Sequence, residues 1–404
     1  MNKCRMCKGE KFQDVIDFGD CPLVNSLIEE EDLDKKEETY PLMVEQCKDC
    51  HLVQIVTPVS SQKIYKDQDY LYYSGEMPQL SEYFREYAED IKERFVKKGD
   101  LVIEIGSNDG IMLEHFYDKA VGLGIDPASN VVVRALKRGI PTISDFFTYR
   151  LARSIRLEFG YAQVIYGNNC IAHLNNLRDL MNGVKHLLLP EGVFIVECNY
   201  WGAMVKNKNY SLIYHDHFSY FTLKNWVDFL KKNYDMEVFD AIVTEAQGGS
   251  LRLFAGHKGR HPKTDRYNDL LLSEIEYDLN SSETCDKYKK DVEREAKKLG
   301  ELIRKLKKEG KSIAGYGAAA KGFSILKLAD IDQRHIDFFV DDSPAKQDKF
   351  TPISHIKVIS RKSVDTLPDY FFITAPNYAD IIIEKEKNFQ ERGGKFILAD
   401  STIV

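Results

Sequence analysis

Short apolar runs alternate with amphipathic stretches along most of the chain, and their order is clearest between residues 101 and 126. Residues 101–105 are apolar and mostly β-branched, which predicts a strand buried on both faces. A glycine turn at 106–110 follows, helical spacing resumes at 111–117, and a second short strand at 121–126 ends in Asp126. This order predicts a βαβ nucleotide-binding unit, whose terminal acid can hold two ribose hydroxyls.

The turn of this unit indicates which nucleotide it binds. The NAD fingerprint requires G-x-G-x-x-G, which residues 106–110 do not match. Glu104, inside the strand, is instead typical of class I S-adenosylmethionine (SAM) methyltransferases, because the cationic sulfonium and amino acid tail of SAM tolerate nearby carboxylates. The alternative is a turn that binds nothing. The predicted SAM-binding residues are Glu104, Gly106, Asn108, Gly110, Asp126 and Asn168.

Further strands of the same sheet are predicted at 161–167 and 192–197. Asn169 and His173 follow the first of them, and ligands of open parallel sheets bind beyond the carboxyl ends of strands. Their i, i+4 spacing predicts that both lie on one helical face. A capping or packing role is the alternative for His173.

Residues 213–221 form a polar and aromatic segment in which His215 and His217 flank Asp216. Histidine accepts a proton near neutral pH without a large pKa shift, and a neighbouring carboxylate can orient or support it. The segment therefore favours a general base. A mononuclear metal site and a capped helix start are the alternatives.

The last third of the chain repeats the theme of strand, glycine-rich turn and helix. It begins near 247–254, and a Lys/Glu-rich stretch at 277–308 predicts a long solvated helix that links domains. The turn within 312–322 suits phosphate, because small residues allow close approach and Lys321 adds charge. Further strands are predicted at 336–342, 369–374 and 395–400. Two Rossmann-like units predict two nucleotide-containing ligands, and a duplicated scaffold with one inactive site is the alternative.

Four of the eight cysteines form two C-x-x-C pairs, Cys4 with Cys7 and Cys47 with Cys50. This spacing places two sulfurs on adjacent corners of a tetrahedron, so two pairs predict a closed structural zinc site. A redox C-x-x-C is the alternative, but it would not predict a second pair. The remaining cysteines are expected to be plain buried or surface thiols: Cys21, Cys170, Cys198 and Cys285.

A tyrosine-rich stretch at 69–75 and an amphipathic helix at 79–98 precede the first strand of the nucleotide-binding unit. An aromatic stripe packed against the next domain is the default explanation, since buried tyrosine hydroxyls usually find a partner. The alternative is a tyrosine that reaches an active site as a hydrogen-bond donor.

Composition limits the class of protein. A chain of 404 residues is expected to form two or three domains, and 29% charged with 43% hydrophobic residues is ordinary for a globular protein. The net charge of -7 and the lack of a basic stripe argue against a nucleic-acid partner. No apolar leader or long uncharged apolar run is present, so we expect no membrane insertion and a cytoplasmic location with reduced or metal-bound cysteines.

Taken together, the motifs resemble the SAM-dependent C-methyltransferases of nucleotide-linked keto sugars, a family typified by the deoxysugar C-3 methyltransferases. The resemblance covers essentially the whole chain and rests on the two C-x-x-C pairs and on residues 104–110, 168–173, 214–221, 248–252, 315–322 and 341–347. It implies an α/β protein with a zinc-binding domain at 1–60, a class I SAM-binding domain at 61–245 and a Rossmann-like domain at 246–404 that helps to hold the nucleotide sugar.

The family also implies roles for individual residues. His217 is implied as the general base, with Tyr214 and Asp216 beside it and Asn169 and His173 across the site. One of Tyr70, Tyr72 and Tyr73 corresponds to an active-site tyrosine of the family. Substrate contacts are expected from Tyr70, Arg252, Tyr316, Lys321 and Asp341. The family usually has glutamate where this chain has Asp216, which puts the role of that acid or the shape of the substrate in doubt.

The implied reaction is methylation of a TDP- or GDP-linked 4-keto-6-deoxy sugar at C-3, the carbon next to the keto group. The base removes the acidified proton, hydrogen-bond donors stabilise the enolate, and the carbanion attacks the methyl group of SAM in line. An O- or N-methyltransferase and a non-catalytic binding protein are the alternatives. We expect a monomer or a homodimer.

Overall fold

A computed structural model describes residues 3–24, 26–67, 70, 72–76, 78–318 and 320–404. Its strands are β1 (Phe12–Cys21), β2 (Tyr40–Cys47), β3 (Val53–Ile55), β4 (Leu101–Ile105), β5 (Val121–Ile125), β6 (Thr142–Ile143), β7 (Ala162–Asn168), β8 (Leu188–Asn199), β9 (Ser219–Tyr220), β10 (Met236–Thr244), β11 (Ser250–His257), β12 (Ile313–Tyr316), β13 (Phe339–Val340), β14 (Val358–Ile359), β15 (Tyr370–Ile373) and β16 (Lys395–Ile397).

The α-helices are α1 (Ser61–Tyr65), α2 (Pro78–Phe95), α3 (Ser129–Lys137), α4 (Tyr149–Phe159), α5 (Leu177–Leu187), α6 (Trp201–Asn207), α7 (Leu223–Asn233), α8 (Asp265–Glu276), α9 (Ser282–Lys308), α10 (Ala320–Ala329), α11 (Ala379–Lys385) and α12 (Lys387–Glu391). None of these helices has the length and apolar character needed to cross a lipid bilayer.

Three sheets confirm the predicted three-part α/β fold. The N-terminal sheet has the order β1-β2-β3-β9 and is antiparallel, whereas the C-terminal sheet, β14-β13-β12-β15-β16, is entirely parallel. The central sheet has seven strands in the order β10-β11-β8-β7-β4-β5-β6. Every residue of β4 is buried, as expected for an inner strand covered on both faces.

The central sheet contains one reversed strand. β4 to β8 pair in parallel, whereas β11 is antiparallel to both β8 and β10. The boundary predicted between residues 245 and 246 therefore falls between two strands of the same sheet. By its hydrogen bonds, Ser250–His257 belongs to the central sheet.

The N-terminal sheet is completed by β9, which lies in the sequence between β8 and β10, two strands of the central sheet. Val53 pairs with Tyr220 and Gln54 with Ser219, and the N–H of Ile55 donates to the carbonyl of Phe218 over 3.1 Å. The polar segment that ends in β9 is therefore hydrogen-bonded directly to the domain that carries the cysteine pairs.

Two predicted helices differ from the structure. The helix expected at 111–117 is only a 3-10 turn, Leu113–Phe116, because the N–H groups of Lys119 and Ala120 both donate to the carbonyl of Phe116 and turn the chain into β5. The helix expected at 277–308 begins at Ser282, and it is not solvated all round, since one side buries an apolar stripe against the core: Cys285, Tyr288, Val292, Ala296, Leu299, Ile303 and Leu306.

Candidate active site

A cavity of about 860 Å³ lies at the carboxyl edge of the central sheet. Four of the predicted cofactor residues line it: Gly106, Asn108, Asp126 and Asn168. Glu104 and Gly110 do not line it. Burial raises the pKa of the Glu104 carboxyl.

The turn after β4 requires glycine for two physical reasons. Gly106 has φ +66° and Gly110 has φ +79°, a region that L side chains rarely adopt. A Cβ on Gly106 would also lie 2.5 Å from the Cβ of Cys170, and one on Gly110 would lie 2.7 Å from a methyl carbon of Ile140. The floor of the cavity is therefore packed directly against the loop after β7.

Replacing Gly106 with alanine should reduce both stability and cofactor affinity. The new methyl group combines an unfavourable φ with a backbone-level clash, so we expect a loss of about 3 kcal/mol in unfolding free energy. Gly139→Ala is the matched control, because its φ of +78° is equally strained but nothing lies within 4 Å. Denaturant unfolding and calorimetric binding of S-adenosylhomocysteine measure both effects. Equal losses in the two variants would show that crowding at Cys170 is unimportant.

Asp126 presents a fixed carboxylate at the wall of the cavity. One of its oxygens accepts from the N–H of Asn108 and the other from the N–H of Ala128, both over 2.9 Å. Burial raises the pKa of this carboxyl to about 6. Each oxygen keeps a lone pair, so the group could accept from two hydroxyls as predicted.

Residues 70 and 72–76 form a strap that borders the cavity, and two asparagines hold it there. The side chain of Asn108 donates to the carbonyl of Tyr72 and accepts from the N–H of Ser74, both over 3.0 Å. Asn130 bonds the N–H and carbonyl of Tyr70 in the same way, over 3.3 and 3.0 Å. Sequence reasoning missed Asn130, which has no motif around it. Asp69 and Leu71 of the predicted tyrosine-rich stretch lie outside the described residues.

The three candidate tyrosines of this strap differ in whether they line the cavity. Tyr70 and Tyr72 line the cavity. Tyr73 does not, since its hydroxyl accepts from the Nδ2 of Asn130 over 2.7 Å and the guanidinium of Arg134 lies 3.3 Å from the centre of its ring. The structure thus brings Tyr70 and Tyr72, and not Tyr73, to the cavity.

Asn169 and His173 both line the cavity, although they do not share a helical face as predicted. That expectation is wrong because Asn169 has φ +52° and only Ile171–His173 forms a 3-10 turn. Tyr65, a residue that the sequence did not single out, lies 2.7 Å from the Nδ1 of His173 through its hydroxyl. The Nε2 of His173 and the Oδ1 of Asn169 are buried and have no hydrogen-bond partner in the described structure.

His217 lies next to His173 rather than on the cavity surface itself. Its ring centre is 5.1 Å from that of His173 and 4.1 Å from that of Tyr214. The carbonyl of Leu212, which can only accept, lies 2.7 Å from the Nδ1 of His217. The proton of the neutral ring is therefore held on Nδ1, which leaves a lone pair on Nε2. The amide Nδ2 of Asn199 lies 3.0 Å from the Nδ1 and 3.4 Å from the Nε2 of His217.

The electrostatics keep this imidazole neutral. Burial, helped by the nearby His173 and Lys321, lowers the pKa of His217 well below its usual value. Burial also lowers the pKa of His173 to about 4 and raises the pKa of the Asp216 carboxyl to about 7. Near neutral pH the cluster therefore holds two uncharged imidazoles beside an acid that is close to its midpoint.

Two domains fix the segment that carries His217. Besides the pairing of β9, the Nε2 of His215 lies 3.2 Å from the carbonyl of Tyr40, so His215 faces the N-terminal domain. From the other side, the hydroxyl of Ser324 on α10 donates to the carbonyl of Ile213. Tyr214 to His217 are held between these two attachments.

Lys321 reaches this region from α10. Its Nζ donates to the Oε1 of Gln247 over 3.1 Å, and Gln247 lines the cavity. Burial lowers the pKa of the amine to about 7. Ala319, in the predicted glycine-rich turn before it, lies outside the described residues. Gln247 was missed as a site residue, and its local sequence carries no signal beyond the adjacent glycines.

Three predicted substrate residues lie apart from this cluster. Arg252 forms a buried ion pair with Glu197 at 2.7 Å and donates to the hydroxyl of Tyr83. The hydroxyl of Tyr316 donates to Glu386 over 3.1 Å within the C-terminal domain. Asp341 accepts from the N–H of Ser343 and lies 3.4 Å from the amine of Lys346. None of Arg252, Tyr316 and Asp341 lines the described cavity.

The four predicted zinc ligands converge. The Sγ atoms of Cys4, Cys7, Cys47 and Cys50 all lie within 4.8 Å of one another, with Cys4 3.4 Å from Cys50 and Cys7 3.5 Å from Cys47. A tetrahedral site with Zn–S bonds of 2.3 Å has sulfurs about 3.8 Å apart. The geometry and the all-thiolate donor set fit a closed structural zinc ion.

Comparisons with known proteins agree with this architecture. Family models match a zinc binding domain at residues 4–65, a methyltransferase domain at 80–238 and a C-methyltransferase C-terminal domain at 245–399. Fold and site together define a methyltransferase with a structural zinc domain. The chain is also 33% identical over 402 residues to the C-methyltransferase NovU of Streptomyces niveus, an alignment that spans 98% of this chain and 95% of NovU. The protein belongs to this family and is a SAM-dependent C-methyltransferase.

Two solved methyltransferase structures each cover slightly less than half of this chain. Magnesium protoporphyrin IX methyltransferase from Synechocystis PCC 6803 is 15% identical, with 49% of this chain and 92% of that chain covered at a TM-score of 0.35. A methyltransferase structure from Anabaena variabilis ATCC 29413 is also 15% identical, with 43% and 84% covered at a TM-score of 0.32. Likeness at this level supports no inference about substrate or mechanism.

Proposed function

We propose that this enzyme methylates C-3 of a TDP- or GDP-linked 4-keto-6-deoxy sugar. The observation that carries the proposal is the imidazole of His217, whose lone pair is held on Nε2 by the carbonyl of Leu212. Methyl transfer to a saturated carbon requires a base that removes a proton from that carbon, and a neighbouring carbonyl makes the C–H bond acidic enough for an imidazole. A 4-keto sugar has such a carbonyl next to C-3.

The cluster supplies groups for each part of this reaction. The Nε2 of His217 takes the C-3 proton, the C–H pair forms a C=C bond, and the carbonyl π pair moves onto the oxygen. Tyr65 can donate to the Nδ1 of His173, which leaves an unpartnered N–H on the Nε2 of His173 to stabilise the sugar. SAM, when bound, supplies an electrophilic methyl group. Tyr70, Tyr72 and Asn169 orient the sugar and exclude water from the shared cavity.

The nucleotide has space between the central and C-terminal domains. A cleft of about 1360 Å³ there is lined by Lys206, Lys208, Asn209 and Asn377. The buried hydroxyl of Tyr210, which also lines the cleft, has no partner among the described residues. Gly248 borders this cleft and the adjacent Gln247 borders the cofactor cavity, which supports a substrate that extends from one to the other.

Three further predictions belong to the same proposal. The domain boundaries at 1–60, 61–245 and 246–404, the cytoplasmic location and the monomeric or dimeric state stay predictions. A reducing compartment suits the site, because thiols that bind zinc must not be oxidised, and all eight cysteines are free.

Incubation with SAM and a panel of TDP- and GDP-linked 4-keto-6-deoxy sugars should yield S-adenosylhomocysteine and a C-methylated sugar. In D₂O without SAM, the same sugar should exchange its C-3 proton, because enolisation precedes methyl transfer. NMR and product mass measure both. The 4-hydroxy parent sugar is the control and should do neither. Methylation without prior exchange would point to transfer onto oxygen or nitrogen and contradict the proposal.

A further inference from the structure

The strongest unexplained feature is the amine of Lys321. Lysine amines that are removed from water usually pair with a carboxylate, since an isolated buried charge is costly. Within the described residues, Lys321 forms no ion pair, and its hydrogen bond is to the neutral side chain of Gln247 over 3.1 Å. A partly buried cation whose hydrogen bond goes to a neutral side chain needs another reason to be there.

The attachment of α10 explains why the amine is near the base. Ser324, which lies one turn after Lys321 on α10, donates to the carbonyl of Ile213, and Ile213 directly precedes the segment with His217. Ser324 is fully buried, so this contact fixes the start of the helix against that segment. The charge of Lys321 is close enough to His217 to contribute to the lowering of its pKa.

The partner of the amine places it at the edge of the cavity. Gln247 lines the cavity together with Tyr72, Asn169 and His173, and it is held in a left-handed conformation with φ +54°. Its Oε1 accepts from Lys321, so the amine stands directly behind the cavity wall. A ligand oxygen that replaced Oε1 would receive the same hydrogen bond.

We propose that Lys321 is the proton donor to the sugar carbonyl, and that it acts opposite His217 in the same enolisation. This inference rests on the proposed function. His217 takes the C-3 proton, the C–H pair forms the C=C bond, the carbonyl π pair moves to oxygen, and the ammonium gives that oxygen a proton. On methyl transfer, the C=C pair forms the bond from C-3 to the methyl carbon and the S–CH₃ pair goes to sulfur, while the oxygen returns its proton to the amine and the C=O bond reforms. His217 then releases the C-3 proton to solvent.

The acidity of the amine suits this role better than a phosphate contact. With a pKa near 7, the ammonium can both give and recover a proton at neutral pH. A lysine that only bound phosphate would be expected to keep its full charge.

Lys321→Met should lower the saturated rate of C-3 exchange in D₂O by about 10²–10³-fold. Binding of S-adenosylhomocysteine and of TDP, measured by calorimetry, should stay within about twofold of wild type, which also reports correct folding. Lys321→Arg keeps the charge but cannot give up a proton, so it should restore less than a tenth of the rate. Lys327→Met, which removes an exposed lysine on the same helix, is the matched control and should change nothing.

Two results would overturn the inference. One is a saturated exchange rate in Lys321→Met within about threefold of wild type. The other is a loss of TDP affinity with an unchanged saturated rate, which would assign the lysine to phosphate. If the wild-type enzyme exchanged the C-3 proton of none of the 4-keto sugars, the proposed function itself would fail. That outcome differs from a defect confined to the variant.

Discussion

Replacing His217 with asparagine should abolish exchange of the C-3 proton and reduce methyl transfer by about 10²–10⁴-fold. The amide has a similar polar size and can keep a hydrogen bond to the carbonyl of Leu212, but it has no lone pair basic enough to accept a proton from carbon. Because His217 does not line the described cavity, binding of S-adenosylhomocysteine should be unchanged. NMR exchange in D₂O and calorimetry test the two parts separately.

The control for this variant is His186→Asn. His186 lies at the end of α5, where its ring packs edge-on against Tyr149, away from the cluster. It should retain wild-type exchange and turnover. Normal exchange in His217→Asn would remove His217 as the base and leave His173 as the remaining imidazole of the cluster.

Replacing Cys4 with serine should release zinc and produce the largest loss of stability. Structural zinc sites of this type contribute roughly 10 kcal/mol of binding free energy to folding. Three thiolates do not close a tetrahedron, and the two pairs join strands that are otherwise held by a small sheet. Thermal unfolding and metal analysis should show the loss together.

The same substitution should also remove catalysis. Arg5, inside the first cysteine pair, is buried and donates to the carbonyl of Ile55 over 2.9 Å and to Asn175 over 3.1 Å. Ile55 in turn donates to Phe218, the residue after His217. Once the zinc site opens, the segment with the base loses this support, whereas the cofactor cavity on the central sheet keeps its own contacts. We therefore expect turnover to disappear while S-adenosylhomocysteine still binds.

Cys21→Ser is the control that distinguishes the loss of a zinc ligand from the loss of a buried thiol. Cys21 is equally buried in the same domain but lies outside the four-sulfur cluster. It should keep one zinc ion per chain and near-normal turnover, with a modest loss of stability. Full zinc content and an unchanged melting temperature in Cys4→Ser would show that the cluster is not the structural metal site.

Local chemistry explains what could be predicted. The strand at Leu101–Ile105 is visible because a strand covered on both faces is apolar at nearly every position, here all but Glu104. The cysteine pairs are visible because two sulfurs of one metal site must come from one turn. The prediction of a helix at 111–117 was wrong because the apolar spacing reflects the burial of Leu113 and Phe116. It does not reflect the backbone hydrogen bonds that end the turn.

The sequence by itself determined the two α/β units, the zinc-binding cysteine pairs and the chemical character of the segment around His217, because each depends on residues close together in the chain. Only the tertiary structure decided which side chains meet there. Tyr65 and His173 are 108 positions apart, Lys321 and Gln247 are 74 apart, and β9 leaves its own domain to join β3. Such contacts depend on how whole sheets and helices pack. The sequence next to a side chain therefore does not determine which distant residue it contacts.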